Sequence, residues 1–120
     1  MRPDERDAAY VWDMVDAARM VRQIVAPLTV EGYLQRRTIQ LAIERSVEII
    51  GEGARKVSND FRNAHPEIPW KKIIAQRHVL AHEYGEIRQD RMWRVATVHI
   101  PELIVQLEPL LPEMPQDDRT

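Results

Sequence analysis

The segment Ile39–Val57, which reads IQLAIERSVEIIGEGARKV, decides the fold class of this 120-residue chain. Its apolar residues recur at intervals of three and four, the period at which side chains share one face of an α-helix. That stripe comprises Ile39, Ile43, Val47, Ile50, Ala54 and Val57, and the row of mostly small residues beside it comprises Ala42, Ser46, Ile49 and Gly53. The pattern predicts an amphipathic helix from about Glu31 to Lys56. We expect Gly51 and Gly53 to serve close helix packing rather than a phosphate loop.

Helical patterns continue on the N-terminal side of this segment and directly after it. A first helix is predicted from about Asp4 to Ala26, because apolar residues recur at helical spacing and Pro27 follows. Its stripe comprises Tyr10, Met14, Ala17, Val21 and Ile24. A short helical turn is expected at 58–63, before an extended connection at 65–69 that contains two prolines.

Two further helices are expected in the C-terminal half. One begins near Trp70 and ends near Gly85. The other has Asp90 as its N-cap, ends near Leu110 and should kink at Pro101. Its stripe comprises Trp93, Ala96, Ile100, Leu103 and Leu107. Because no segment shows a convincing strand pattern, we expect an all-α fold, an up-down antiparallel bundle of four to five helices.

Composition limits the compartment and the class of function. The chain has no cysteine, 30% charged residues and a net charge of −2. The lack of cysteine excludes a disulfide framework and, with a charged N-terminus and no long apolar run, favours the cytoplasm. Residues 71–94 nevertheless carry six Lys/Arg against three acids, as a local anion-binding site would. We expect one domain over residues 1–112 and a flexible tail at 113–120.

The stretch RHVLAHEY, residues 77–84, places an arginine, a histidine and a tyrosine in an otherwise apolar helical pattern. On an ideal helix Arg77 is central to the apolar face, one heptad before Tyr84. Position 82 lies roughly 140° from position 77 around such a helix. Arg77 and His82 would therefore converge if the helix ended or distorted near Ala81, if long side chains bridged the gap, or if two copies of the chain lined one cleft.

These residue types leave several interpretations open. A histidine moves protons near neutral pH and an arginine stabilises charge on phosphate oxygens, so the trio suits metal-free phosphoryl chemistry and, equally, the binding of a nucleotide. Arg77 could instead form a structural ion pair with Glu48 or Glu52. His78 and His82 have the i, i+4 spacing of metal ligands, but the sequence offers no evident third ligand.

In combination, these segments resemble the HepT-like branch of the HEPN superfamily of small α-helical proteins. RHVLAHEY resembles the family's Arg-x4-His-x-Tyr signature. Residues 42–58, 65–87 and 92–111 resemble its second helix, its Pro-Glu-Ile-Pro-Trp lead-in with the active helix, and its last helix with an internal proline. The likeness covers roughly residues 5–111. It implies a HEPN-type bundle that forms a homodimer with the motif at the interface.

The resemblance also implies a function. It implies a metal-independent endoribonuclease without a cofactor, the toxin of a type VII toxin–antitoxin pair, with Arg77 and His82 catalytic and His78 and Tyr84 in support. The substrate would be RNA, and the partner a minimal nucleotidyltransferase that neutralises the toxin by adenylylation (AMPylation) of Tyr84. Two positions depart from the family pattern, since His78 replaces the usual Asn and Gly85 a frequent aromatic residue. The alternative is a non-catalytic helical dimer that docks the nucleotidyltransferase or binds a nucleotide.

Overall fold

All regular structure in the computed structural model is helical over the ranges that it describes, residues 3–82 and 87–111, with side chains described for 5–80 and 87–111. The helices are α1 (Pro3–Val25), α2 (Val30–Leu34), α3 (Arg37–Lys56), α4 (Asn59–Ala64), α5 (Trp70–His82), α6 (Gln89–Arg94) and α7 (Ile100–Leu107). A π turn, Val95–His99, joins α6 to α7, and a 3₁₀ turn, Glu108–Leu110, follows α7. The all-α bundle predicted from the sequence is confirmed.

α3 is the central helix, with α1 against one side and α5 against another. Gly53 faces α1, where an added Cβ would come within 2.5 Å of Met14 Cγ and 3.2 Å of the Tyr10 carbonyl oxygen. Gly51 faces α5, where an added Cβ would come within 2.2 Å of the Cβ of Arg77. Contacts this short leave no room for a larger residue, so the packing role expected of both glycines is confirmed.

The predicted apolar stripes form only part of the core, because Val11, Val15, Ala18 and Ile104 are buried outside them, whereas Tyr10 and Ile24 of the α1 stripe are only partly buried. Its buried members include Val11, Met14, Val15, Ala18 and Val21 of α1, Ile43, Val47, Ile50 and Ala54 of α3, and Ile100, Leu103, Ile104 and Leu107 of α7. Polar contacts fix the ends of these helices. Asp7 accepts hydrogen bonds from the backbone N (2.8 Å) and the hydroxyl (2.7 Å) of Ser58, so the start of α1 lies beside the end of α3. Nη2 of Arg19 lies 2.5 Å from Oε2 of Glu108, which joins α1 to the end of α7.

The helix predicted over residues 31–56 is two helices, so that prediction was wrong at its first turns. α2 ends at Leu34, and Arg36 has an extended backbone with φ −120° and ψ 92°. The side-chain amide of Gln40 donates hydrogen bonds to the carbonyl oxygens of Tyr33 (3.0 Å) and Leu34 (3.1 Å). The Tyr33 carbonyl also accepts from the amide of Arg36 at 3.2 Å, and the Gln40 side chain supplies the further donors that a continuing helix would have provided.

The N-cap expected at Asp90 was also wrong. Arg88 occupies the N-cap position without a side-chain hydrogen bond to the helix, so the N-cap lies two residues earlier than predicted. The cause is tertiary, since the side chain of Gln89 is held by Tyr33 and Glu44. Asp90 lies in the first turn, where Nε and Nη2 of Arg88 donate to its carboxylate at 3.2 and 3.0 Å. These hydrogen bonds lower the pKa of Asp90.

The irregularity expected at Pro101 takes the form of a π turn. The amide of Ile100 bonds to the carbonyl of Val95, five residues earlier, rather than to the carbonyl four residues earlier. Pro101 has no N–H to continue the α pattern and lies in the first turn of α7, where none is needed. The chain therefore changes its helical register immediately before the proline and resumes an α-helix with it.

Some expectations fall outside the described residues. The helix end predicted at Gly85 and the tail predicted at 113–120 belong to this group, and they stay predictions, as does the domain boundary at residue 112. Within 3–82 and 87–111, none of the helices has the length and apolar character that crossing a membrane requires.

Gly53→Ala is expected to lower the free energy of unfolding by about 1–3 kcal/mol, because the new Cβ would lie 2.5 Å from Met14 Cγ. Gly32→Ala is the matched control. Its Cβ would meet nothing nearer than Thr29 Oγ1 at 3.5 Å, and alanine favours the helix, so we expect no loss of stability. Urea unfolding of both variants measures the difference, and equal stability would contradict the packing argument.

Candidate active site

Arg77 lies on the face of α5 that packs against α3. On this face Trp70 and Leu80 are buried and Ile73 is half-buried against the core. The Cβ and Cγ of Arg77 cross the backbone of α3 at Gly51, and the side chain as a whole is 24% exposed. The arginine thus occupies the apolar face as predicted, with its stem in the packing and its head at the edge of the core.

The guanidinium of Arg77 is only loosely paired. Its Nη2 lies 3.9 Å from Oε1 of Glu52, which is beyond hydrogen-bond distance. Its Nε is buried and has no hydrogen-bond partner among the described residues. Of the two acids that the sequence offered as partners, Glu52 is therefore the neighbour, whereas Glu48 accepts a hydrogen bond from Arg45. Among the described residues, the donors of this cation are not all used, and its head lies beside solvent.

The histidine of the signature lies five residues after Arg77 on the same helix. α5 continues through His82, so a helix end near Ala81 does not bring the two positions together. Around a regular helix they are roughly 140° apart. Position 82 instead shares a face with His78 and Val79, whose side chains are exposed. One copy of the chain therefore presents the arginine and the histidine position on different sides of α5.

The side chains of His82 and Tyr84 lie outside the described residues. The roles expected of these two residues, and the metal-ligand hypothesis for His78 with His82, stay predictions. Among the side chains of residues 5–80 and 87–111, no three His, Cys, Asp or Glu are grouped so that they could hold a metal ion.

A groove of about 550 Å³ separates α5 from α7. Its apolar walls and floor are formed by Val47, Ile50, Ile73, Val79, Val95, Ile100 and Leu103, and its polar lining includes Glu67, Lys72, Gln76, His99 and Gln106. Ala75 and Val79 both line it, so it opens along the face of α5 that carries position 82. This groove places apolar surface next to one of the two predicted catalytic positions.

A buried polar network beyond α5 was missed by sequence reasoning. Glu44 is 9% exposed and accepts hydrogen bonds from Nε2 of Gln89 (2.7 Å) and Nη1 of Arg37 (3.2 Å). The hydroxyl of Tyr33 donates to Oε1 of Gln89. Burial and, secondarily, the charge of Glu44 raise the pKa of Tyr33, so it stays a neutral donor. The network ties α6 to α2 and α3 and fixes the chain shortly after residues 83–86.

One signal in the sequence pointed to this network. Gln40 and Glu44 are four residues apart, and each directly follows a member of the apolar stripe of α3. Both are buried, although polar residues at such positions require hydrogen-bond partners. Their partners could not be named from the sequence, because Gln89 is 45 residues away from Glu44.

Two matched substitutions compare the acids of α3. Glu52→Gln is expected to lower the free energy of unfolding by less than about 1 kcal/mol, because its pair with Arg77 is long and partly exposed. Glu44→Gln should cost about 1–3 kcal/mol, because it weakens charge-assisted hydrogen bonds to Arg37 and Gln89. Urea unfolding at pH 7 gives both values. A larger loss for Glu52→Gln would show that the pair with Arg77 is structural.

Comparisons with known proteins bear on the family of the chain. The chain matches the family described as "Ribonuclease HepT-like" over residues 14–110. It is 32% identical over 101 residues to a protein of Thermococcus cleftensis named "Probable ribonuclease HepT", with 84% of this chain and 92% of that one covered.

Two further relatives are named as candidate RNases. A protein of Methanocaldococcus jannaschii is 29% identical over 100 residues, covering 83% of this chain and 92% of its own. A protein of Caldanaerobacter subterraneus is 29% identical over 102 residues, covering 85% of this chain and 91% of its own. No solved structure gives a significant match. With its family match, its relatives and its helical bundle, the chain belongs to the HepT-like ribonuclease family.

Proposed function

We propose that this protein is a metal-independent endoribonuclease in which Arg77 and His82 are the catalytic residues. The state of Arg77 is the observation that carries the proposal. Its stem is fixed against Gly51, its Nε is buried without an acceptor among the described residues, and its Nη2 stays 3.9 Å from Glu52. A planar guanidinium with free donors suits the oxygens of a phosphate, and the names of the relatives point to RNA as the substrate.

The chemistry needs few protein groups because RNA carries its own nucleophile. In the proposed step His82 takes the proton of the 2′-hydroxyl, and the 2′-oxygen attacks the adjacent phosphorus. The bond from phosphorus to the 5′-oxygen breaks as the new bond forms, which leaves a 2′,3′-cyclic phosphate and a 5′-hydroxyl. Arg77 stabilises the charge that develops on the phosphoryl oxygens. His78, when protonated, and Tyr84 support the step as hydrogen-bond and proton donors. No cofactor takes part.

The proposal includes a homodimer with the active site at the interface. Within one copy, positions 77 and 82 lie on different sides of α5, roughly 140° apart. A second copy removes this difficulty, because Arg77 of one protomer can then meet His82 of its partner. The groove between α5 and α7 supports such an interface, since it exposes apolar residues along the face that carries position 82. Val79 on this face is 37% exposed.

We further propose that the protein is the toxin of a type VII toxin–antitoxin pair, with a minimal nucleotidyltransferase as its antitoxin. The enzyme would transfer AMP to the hydroxyl of Tyr84. In the sequence, Tyr84 lies two residues after His82 and one heptad after Arg77. An attached AMP would bring a bulky anion close to both catalytic positions and offer Arg77 a phosphate in place of RNA.

The approach of Glu52 to Arg77 favours one alternative function. If Glu52 neutralises Arg77 at all times, the chain would be a non-catalytic helical dimer that docks the nucleotidyltransferase or binds a nucleotide. The 3.9 Å separation is long for such a permanent pair, and we therefore favour the ribonuclease.

Arg77→Ala and His82→Ala are each expected to reduce RNA cleavage by about 100-fold or more while the dimer persists. Cleavage of a labelled single-stranded RNA in excess chelator, together with the mass of the assembly in solution, measures both properties. Arg91→Ala is the matched control, because this side chain is exposed and lies outside both the signature and the groove between α5 and α7. Full cleavage by either signature variant would exclude that residue from catalysis.

A mixture of the two inactive variants tests whether the site is shared. After random exchange about half of the dimers are mixed, and each mixed dimer contains one site with both catalytic residues intact. We therefore expect recovery of about a quarter of the wild-type activity. If each site lay within a single protomer, mixing would restore nothing.

Expression together with a minimal nucleotidyltransferase of the proposed antitoxin type is expected to increase the intact mass of the protein by one or more AMP units. Tyr84→Phe should abolish the gain, because it removes the acceptor hydroxyl, whereas Tyr10→Phe should retain it. Loss of RNA binding should accompany modification. An unchanged mass in the presence of an active transferase would contradict regulation by AMPylation.

A further inference from the structure

A second cleft lies outside the Arg77 region, between α4 and the start of α5. Its volume is about 620 Å³. It is lined by Asn59, Arg62, Asn63, Pro66, Ile68, Pro69, Trp70, Lys71, Lys72 and Ile74. We propose that this cleft binds phosphates of single-stranded RNA at a distance from the bond that is cut. The inference rests on the proposed ribonuclease function and adds a substrate-binding subsite to it.

The charge of the lining favours an anion. Three of the lining residues are cationic: Arg62, Lys71 and Lys72. Among the described residues that line the cleft, none is acidic. Arg62 is held in place, because it donates hydrogen bonds to the Ala54 carbonyl (3.3 Å) and to Oδ1 of Asn59 (2.7 Å). Lys71 and Lys72 are exposed and take part in no hydrogen bond or ion pair within the described ranges. The cleft therefore offers one fixed and two free cations to a phosphate backbone.

The apolar wall of the cleft is preformed. The indole Nε1 of Trp70 donates to the carbonyl of His65 at 2.9 Å, and its ring meets the edge of Phe61 at a centroid distance of 5.9 Å. Pro66 and Pro69 line the cleft beside it and restrict the backbone there. These contacts hold the cleft open without a ligand, so binding does not require reorganisation of the wall.

The position of the cleft connects it with the proposed catalytic residues. Lys71, Ala75, His78 and position 82 follow the i, i+4, i+7, i+11 spacing of one helix face. The side chains of Lys71, Ala75 and His78 are exposed. The stripe extends about 16 Å along the axis of α5. An RNA strand whose scissile phosphate lies at position 82, beside the proposed dimer interface, can continue past His78 and Lys71 to the cleft and meet no acidic residue of the stripe.

The double variant Lys71→Gln/Lys72→Gln tests the subsite. We expect it to bind a fluorescent 2′-O-methyl single-stranded RNA of about 12 nucleotides roughly tenfold more weakly than the wild-type protein. The 2′-O-methyl groups remove the attacking hydroxyl, so binding is measured without cleavage. Anisotropy titrations over a range of salt concentrations should also show a salt slope that is smaller in magnitude by about 1.

The matched control is Arg22→Gln/Arg36→Gln, which removes the same charge from exposed residues outside the cleft. Arg22 is in the last turn of α1 and Arg36 directly precedes α3, so both lie toward the end of the α1–α3 pair opposite Asp7 and Ser58. We expect this pair to lose less than about twofold in affinity. An equal loss in both double variants would show a non-specific charge effect and would overturn the inference.

Cleavage kinetics separate the subsite from the proposed function. On a cleavable RNA the Lys71/Lys72 variant should have a raised KM and a nearly unchanged kcat. If the wild-type protein cuts no RNA and the variant still loses tenfold in binding, the ribonuclease proposal fails and the subsite stands. If the variant binds RNA as tightly as the wild-type protein does, the subsite is excluded. This holds even if the variant binds the nucleotidyltransferase more weakly. An unchanged thermal midpoint and an unchanged mass of the assembly in solution exclude unfolding and loss of the dimer as the cause, the second because Lys72 also lines the groove between α5 and α7.

Discussion

The close approach of three helices at Gly51 and Gly53 is the constraint on which the rest of the structure depends. The two glycines are two residues apart in α3, so they face roughly opposite sides of the helix. One admits Met14 of α1 and the other admits the stem of Arg77 on α5. Because neither contact leaves space for a Cβ, the spacing of α1, α3 and α5 is set by the absence of two side chains. That spacing also fixes the point along α3 at which the side chain of Arg77 crosses the helix.

The same contact explains how an arginine is accommodated in an apolar face. The aliphatic part of Arg77 packs against Gly51, as an apolar side chain would. The guanidinium at its end reaches the edge of the core, where it keeps contact with solvent. Two of the acids of α3, Glu44 and Glu52, then behave differently. Glu44 is hydrogen-bonded by Gln89 and Arg37, whereas Glu52 only approaches its arginine. Glu44 has its hydrogen-bond partners, as a residue with a structural role should. Among the described residues, the Arg77–Glu52 pair leaves donors unused, as a residue that binds a ligand would.

Local patterns in the sequence were sufficient for most of the fold and for the position of Arg77. The stripe of α3 predicted most of the buried apolar residues of that helix, because burial on a helix follows its period, whereas the stripe of α1 missed Val11, Val15 and Ala18. The boundaries that failed depend on side chains from elsewhere in the chain. Gln40 caps the end of α2, and the contacts of Gln89 with Tyr33 and Glu44 start α6 two residues early. The basic cleft could not be predicted either. It is formed between α4 and the start of α5, and a local sequence pattern does not give the relative position of two helices.

The two faces of α5 explain why the signature alone does not describe a complete site. The face on α3 holds Arg77, and the opposite, exposed face carries Lys71, His78 and position 82. A straight helix cannot direct both faces at one phosphate, so within one chain the fold separates the groups that the proposed reaction needs together. Association of two copies would join them, and a strand bound at the joined site would continue along the exposed face. On this view the dimer assembles the catalytic groups, and each protomer supplies the surface that positions the RNA.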